Sequence, residues 1–438
     1  MDFYDKIKKF FDFELSLNEN ELQYWDIFRH DLFLICVYNS SFETKKEHEK
    51  KKSILNFLKN SVSCIFEFIK FPFIILKNKR KRILFQCSRY KINDKFVDVN
   101  TLDFYELYKN DFFCIETYFY TNYVFSCYKK IVKKIKKYKK NLFSDFFVTK
   151  INNYFGISLD LSFYNNRIID YYIEMSYYMY YFNLLKPKSI FFIQNGIHKG
   201  MIKAAKLLHI PISEIQHGEI GMSHPAYFYP KGFSSKNIIA ADYLFVWSEY
   251  WKQRINFPGV TIFSSGNSYY SYTNENMEHE KCYSFVIISN SEHTPIFDKF
   301  LEKLFKIGYN GSICYKLHSN QKNEFKTIKT KWQNFKNLEV VLFEKNVLEL
   351  LSMTDNVLVI HSTVVFQALN NNKKVLLYSA NEEYLSHKDV FDDPNLYIVN
   401  DVMDFIFSLN KPVCESKDKY YEKFDKENNL NFLNQLGL

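Results

Sequence analysis

The chain lacks the short motifs that most often build phosphate and metal sites. It has 11 glycines and 9 prolines among 438 residues, and it contains no G-x-G-x-x-G, G-x-x-x-x-G-K-[S/T], H-E-x-x-H, G-x-S-x-G or D-x-D sequence. The sequence therefore disfavours a dinucleotide-dependent dehydrogenase, a P-loop enzyme and an enzyme that binds a diphosphate through a metal ion. The charge of a bound phosphate would have to be met by lysine, histidine and helix N-termini, and we expect neither a metal nor a cofactor.

Neither the cysteines nor the apolar runs of the chain indicate a function. The eight cysteines form no C-x-x-C pair and no zinc spacing, and several lie in strand-like apolar runs. We therefore expect reduced core residues of a cytoplasmic protein. The longest apolar run, Val62 to Leu76, holds Glu67 and Lys70 and is too short and too charged to span a bilayer. No secretory signal pattern follows Met1.

Aromatic residues and positive charge are present in excess. The 45 phenylalanines and 34 tyrosines fit the codon bias of an AT-rich genome. The net charge of +9 favours anionic partners, whether phosphates, nucleic acid or an anionic bilayer. The segment Lys129–Lys140 is rich in lysine, with apolar residues at helical spacing. It is interpreted either as a helix on the inner face of the cytoplasmic membrane or as a solvated surface helix.

Alternating strand and helix patterns predict an α/β protein with two Rossmann-like domains facing across a cleft. A polar stretch at 271–281 is interpreted as the joint between them. The predicted organisation is a helical N-terminal extension at 1–80, the first Rossmann-like domain at 81–272, the second at 273–413 and a helical tail at 414–438.

The loop Gln216–Tyr227 concentrates residues that are otherwise rare in the chain. It holds two of the 11 glycines and two of the 11 histidines, and it follows an apolar segment typical of a buried strand. Open α/β sheets place their chemistry at such strand ends. His217 or Glu219 is the candidate general base for an acceptor hydroxyl. Three further residues are expected on the acceptor side of this loop: Gln216, Gly218 and His224.

Two strand ends in the second domain suit a phosphate. Lys316 and His318 alternate at the end of one predicted strand, where a cation and an imidazole would bind a phosphate or diphosphate. Ser362 and Thr363 open a helix after another strand, where hydroxyls and backbone N–H groups favour an anion. Two residues after the first strand of this domain are expected to line the same site: Asn290 and Ser291.

These residues resemble motifs of bacterial GT-B glycosyltransferases that build capsule or lipopolysaccharide. In the sialyltransferase-like and Kdo-transferase-like branches, a His-Pro motif and a later Ser-Ser or Ser-Thr motif bind the nucleotide and phosphate of a CMP-sugar. Here His318-Ser319 stands in place of His-Pro, and Ser362-Thr363 matches the second motif. Gln367 lies where related domains often have an acidic residue that holds the ribose. The Gln216-His217-Gly218 loop also looks like one on the acceptor side of surface-polysaccharide transferases.

The resemblance implies a metal-independent transferase whose first domain binds the acceptor and whose second binds the nucleotide-sugar donor. It implies a growing surface glycan or lipid-linked acceptor, with a CMP-sugar favoured as donor and a UDP-sugar as the alternative. Direct displacement at the anomeric carbon is the implied mechanism. Two other functions stay open: a CDP-glycerol-type polyol-phosphate transferase, and a non-catalytic nucleic-acid-binding protein that uses Lys77–Arg82 and Lys129–Lys140. Nucleic acid is not the expected partner.

Overall fold

The computed structural model describes residues 2–38, 72–88, 90–92, 95–116, 128–129, 144–271 and 280–438. The chain divides into two compact units. The N-terminal unit comprises residues 3–265 and 425–438, and the C-terminal unit comprises residues 266–424. Each unit is built on a six-stranded parallel sheet.

The sheet of the N-terminal unit has the strand order β4-β1-β5-β6-β7-β8. Its central strands are buried on both faces, as parallel sheets covered by helices require. A short antiparallel pair, β2 and β3, lies outside it. The strands are β1 Arg82–Gln86, β2 Tyr90–Ile92, β3 Lys95–Val97, β4 Phe112–Glu116, β5 Ile190–Phe192, β6 Ile212–Ile215, β7 Tyr243–Val246 and β8 Thr261–Ser264. The helices are α1 Phe3–Leu15, α2 Glu19–Tyr38, α3 Leu102–Leu107, α4 Asp145–Phe155, α5 Leu161–Leu185, α6 Lys199–Leu207 and α7 Glu249–Gln253.

The C-terminal unit has the strand order β11-β10-β9-β12-β13-β14, in which the connections reverse direction between β9 and β12. Ligands of open α/β sheets bind outside the carboxyl ends of the strands at such a switch point. The strands are β9 Phe285–Ile288, β10 Ile313–Lys316, β11 Leu338–Val341, β12 Asn356–Val359, β13 Lys374–Tyr378 and β14 Leu396–Val399. The helices are α8 Thr294–Lys306, α9 Phe325–Trp332, α10 Val347–Ser352, α11 Val364–Asn370 and α12 Val402–Leu409.

The two ends of the chain both belong to the N-terminal unit. The last helix, α13 Lys426–Gln435, stacks the ring of Phe432 on Phe263 of β8 at a centroid distance of 3.9 Å. Asn429 donates a hydrogen bond from Nδ2 to the Ser265 carbonyl at 2.9 Å. The predicted tail at 414–438 is therefore divided, because its final residues complete the first sheet's covering layer. The boundary between the two units lies at 265–266, a few residues before the polar stretch at 271–281 that is interpreted as the joint.

Most of the predicted basic helix Lys129–Lys140 lies outside the described residues. Lys129 itself pairs with Asp170 of α5 at 2.9 Å. In the described part of the chain, no helix combines the length and apolar character needed to cross a membrane.

Candidate functional site

The loop after β6 is fixed at its start by Gln216, which is fully buried. Its Nε2 donates to the carbonyl of Gly218 at 2.9 Å, and its Oε1 accepts from the backbone N–H of Trp247 at 2.9 Å. Gln216 therefore joins the ends of β6 and β7 and turns the chain at Gly218.

A hydrogen-bonded chain of three side chains lies beside this turn. Tyr227 donates from its hydroxyl to Oε1 of Glu214 at 2.6 Å, and the same hydroxyl oxygen lies 3.4 Å from Nδ1 of His217. The backbone N–H of Asn195, after β5, donates to the same Glu214 oxygen at 2.8 Å. We call Glu214, Tyr227 and His217 the Glu-Tyr-His chain.

Glu214 is a fully buried carboxyl in the middle of the sheet. Burial raises its pKa to about 7, although the hydrogen bonds from Tyr227 and Asn195 and the charge of Lys199 oppose this rise. Burial also raises the pKa of Tyr227 well above 10, so the phenol stays protonated and acts as a donor to the carboxylate. A carboxyl that titrates near neutrality, joined through a phenol to an imidazole, is an arrangement suited to proton transfer.

The other predicted residues of this loop lie around the chain. Glu219 is half-buried two residues beyond His217. His224 accepts from the backbone N–H of Ala226 at 3.3 Å, and its ring lies 4.7 Å from that of Tyr227. Burial holds the pKa of His224 well below its usual value, so its imidazole is neutral and packs against the phenol.

The two N-terminal helices hold the far side of the loop. Arg29 of α2 forms a buried pair with Glu14 of α1 and donates to the carbonyls of Pro225 and Phe228, the latter at 2.9 Å. Tyr38 donates to the Ser223 carbonyl at 3.1 Å. The helices predicted as an extension thus fix the backbone on both sides of Tyr227.

In the C-terminal unit, Asn290 and Ser291 follow β9. Asn290 accepts through Oδ1 from the backbone N–H of His293 at 2.9 Å and through its carbonyl from the Thr294 hydroxyl at 2.9 Å. Ser291 donates to a carboxylate oxygen of Glu324 at 3.0 Å. Asn290 therefore shapes the entry to α8, and this turn brings His293 inward.

Lys316 and His318 lie at the end of β10 and make separate contacts. The Lys316 ammonium donates to the Leu342 carbonyl after β11, and burial lowers its pKa. His318 is exposed, and its Nδ1 accepts from the backbone N–H of Asn320 at 3.3 Å. Within the described residues, no hydrogen bond joins either side chain to Ser362.

Ser362 is the residue that caps α11. Its Oγ accepts from the backbone N–H of Val364 at 3.2 Å, and its own N–H donates to Nε2 of His387 at 3.2 Å. Thr363 makes no capping bond with its side chain, and Gln367 is buried within the helix.

Three imidazoles and a carboxylate that were not predicted gather at the strand ends beside the β9–β12 switch point. Nε2 of the buried His293 lies 2.7 Å from Oε2 of Glu383, and Nδ1 of His361 lies 4.0 Å from the same oxygen. The His361 and His387 rings are 5.3 Å apart. The hydrogen bond with His293 lowers the pKa of Glu383. We call these four residues the histidine cluster.

The histidine cluster has the side-chain types that bind metals or phosphates. Nε2 of His293 and Nε2 of His387 are both engaged in hydrogen bonds within the protein. The available sequence signal was the position of His293 and His361 just after strands β9 and β12. Glu383 and His387 lie in the 3₁₀ segment Glu382–Val390 after β13, where no strand-end pattern marks them.

The comparisons with known proteins bear on the fold. No family model matches the chain, and no curated protein matches it. A solved structure of MnaA from S. aureus with UDP has a TM-score of 0.50 and 13% identity, covering 82% of this chain and 97% of that one. UDP-GlcNAc 2-epimerase from Methanocaldococcus jannaschii, with UDP-GlcNAc and UDP, has a TM-score of 0.51 and 15% identity, covering 81% and 99%. At these identities the likeness concerns the fold, and it confirms the expected class: two Rossmann-like domains of the GT-B type.

Proposed function

We propose that this protein is a glycosyltransferase that binds a nucleotide sugar in its C-terminal unit and deprotonates an acceptor hydroxyl with His217. The Glu-Tyr-His chain is the observation that carries the proposal. Because the Tyr227 hydroxyl donates its hydrogen bond to Glu214, the hydroxyl oxygen can accept a hydrogen bond from the Nδ1–H of His217. That bond places the imidazole lone pair on Nε2, the tautomer that a general base needs.

The buried carboxylate would also stabilise the product of proton transfer. When His217 takes a proton, the positive charge is compensated through Tyr227 by Glu214. The compensation requires an ionised carboxyl, and the pKa of Glu214 is about 7. Turnover should therefore rise with pH through neutrality as this group loses its proton.

For the donor, we propose that the histidine cluster binds the phosphates at the β9–β12 switch point. His361 and Ser362 follow β12, and His293 follows β9. Two proteins of similar fold were solved with UDP, and one of them also with UDP-GlcNAc, which makes a UDP-sugar the first donor to test. A CMP-sugar, the donor favoured by the resemblance at His318-Ser319 and Ser362-Thr363, is the second.

A nucleotide-sugar epimerase is the second candidate function, because one of the proteins similar in fold is a UDP-GlcNAc 2-epimerase. The two activities differ in their need for an acceptor. An epimerase converts the nucleotide sugar alone and releases no nucleotide, whereas a transferase releases nucleotide in proportion to acceptor. A polyol-phosphate transferase would instead leave phosphorus in the polymer product.

The test combines nucleotide binding with turnover. Calorimetry with UDP and CMP on the wild type, His361→Ala and His318→Ala should show weaker binding for His361→Ala and little change for the exposed His318→Ala. His217→Ala should keep wild-type nucleotide affinity and lose acceptor-dependent release of nucleotide. If neither nucleotide binds the wild type, the donor assignment is wrong. If His217→Ala retains full turnover, the base is another residue, with Glu219 the next to substitute.

A further inference from the structure

A short helical segment of the N-terminal unit presents apolar side chains to solvent beside a cluster of cations. Residues 72–78 are helical. Phe73 is 71% exposed and Leu76 is 75% exposed, whereas Ile75 packs against the buried cluster that contains Ile83 and Phe182. Phe73 and Leu76 are three residues apart and therefore lie on the same side of the helix. The helix thus anchors one side in the core and leaves an apolar side uncovered.

The chain continues from this helix into positive charge. Four of the five residues at 77–81 are lysine or arginine, and none is acidic. Within the described residues, none of these four cations forms an ion pair, whereas the next, Arg82, pairs with Asp111. Lys77, Lys79 and Arg80 are exposed. We call residues 72–81 the basic-apolar segment.

We propose that the basic-apolar segment binds the surface of an anionic lipid bilayer. Exposed phenylalanine and leucine gain free energy by entering the acyl boundary, and adjacent lysines and arginines are attracted to anionic head groups. The apolar run Val62–Leu76 that leads into the segment contains Glu67 and Lys70, which suits contact with an interface rather than passage through it. This surface is distinct from Lys129–Lys140, and the proposal does not depend on the proposed enzymatic function.

Nucleic acid is the other polyanion that four uncompensated cations could bind. Phosphate contacts would account for the cations, and an aromatic ring could stack on a base. Binding of a nucleic acid would not explain why Leu76 is exposed, because a sugar-phosphate backbone offers no apolar surface for this side chain to contact. An interface with both an apolar and an anionic layer uses every exposed side chain of the segment.

Co-sedimentation of the full chain with vesicles tests the proposal. The vesicles are phosphatidylcholine alone and phosphatidylcholine mixed with an equal part of phosphatidylglycerol. Three variants are compared with the wild type. The apolar variant carries Phe73→Ser and Leu76→Ser together, and the cationic variant carries Lys77→Gln, Lys79→Gln and Arg80→Gln together. The control variant carries Phe407→Ser alone. Phe407 is 69% exposed on α12 of the C-terminal unit and matches Phe73 in type and exposure.

We expect the wild type and the control to bind the mixed vesicles and not phosphatidylcholine alone. The partition coefficient of the apolar variant and that of the cationic variant on mixed vesicles should each fall about tenfold or more. Added salt should release the wild type from these vesicles. Thermal unfolding of each variant verifies that the fold is unchanged, since the substituted side chains are exposed. The proposal is overturned if the wild type does not bind mixed vesicles, or if both variants bind as it does. It is also overturned if the segment's cations are needed for retention on single-stranded RNA but not for vesicle binding.

Discussion

Replacing Glu214 by glutamine should remove a pH dependence from the stability of the N-terminal unit. Glu214 is fully buried, and its pKa in the folded protein is about 7 against an ordinary value of 4.5. Between these values the folded state holds a proton that the unfolded chain has released. The free energy of unfolding therefore falls as pH rises from about 4.5 to about 7 and is constant above that range. At about 1.36 kcal/mol per pH unit, the full difference is about 3 kcal/mol.

The substitution preserves the local contacts. A glutamine carbonyl oxygen can still accept from the Asn195 N–H and from the Tyr227 hydroxyl, the two bonds that Oε1 of Glu214 accepts. The variant therefore differs from the wild type chiefly in having no titrating group at this position. The free energy of unfolding of the wild type minus that of Glu214→Gln should fall by about 2 kcal/mol between about pH 5 and about pH 7.5.

Urea unfolding followed by tryptophan fluorescence can isolate the relevant unit. Three of the four tryptophans, Trp25, Trp247 and Trp251, are buried in the N-terminal unit, and only Trp332 lies in the C-terminal unit. A Trp332→Phe background makes the signal specific to the N-terminal unit for both proteins. Other groups titrate in the same pH range, but they cancel in the difference. A difference that stays constant with pH would refute a buried, neutral-range carboxyl at Glu214.

Other substitutions in the same unit have equally definite outcomes. Arg29→Met leaves the Glu14 carboxyl buried without its partner and should cost about 3–5 kcal/mol of the free energy of unfolding in urea. Gly200→Ala places a Cβ 2.6 Å from the Tyr171 carbonyl oxygen and should lower the thermal midpoint by several degrees, whereas an unchanged midpoint would mean that α5 and α6 can separate at little cost. Tyr227→Phe removes a hydrogen bond that favours the ionised carboxyl of Glu214, so the pH at which the free energy of unfolding stops falling should rise above about 7; a shift to lower pH would contradict the bonding described.

Short apolar runs bounded by polar or glycine residues predict ten of the twelve strands in the two parallel sheets. These ten strands are β1, β5, β6, β7, β8 and the first five strands of the C-terminal unit. The edge strands β4 and β14 were not expected. In β14 only the first and last residues are buried, because an edge strand covered on one side carries a weaker apolar pattern.

The site was less accessible to sequence reasoning because its contacts join distant parts of the chain. His217 was predicted from its place after β6, but Glu214 reads as a polar residue inside a strand, and nothing local shows that it is buried. Tyr227 lies 13 residues from the carboxyl it contacts. The Arg29 guanidinium donates to the Pro225 carbonyl across 196 residues. His293 and Glu383 are 90 residues apart, so spacing could not pair them.

The N-terminal helices hold the backbone on both sides of Tyr227. The proposed role of His217 as a base needs the Tyr227 hydroxyl to be fixed, since a small displacement of Tyr227 would break the 3.4 Å contact with His217. Arg29 meets this need because its planar group binds the Glu14 carboxylate and two backbone carbonyls at once, which a lysine ammonium could not match in geometry. Those carbonyls lie on either side of Tyr227, at residues 225 and 228. The buried ion pair between α1 and α2 is therefore better understood as a support for the loop than as a source of net stability, because buried pairs are often replaceable by apolar residues at little cost.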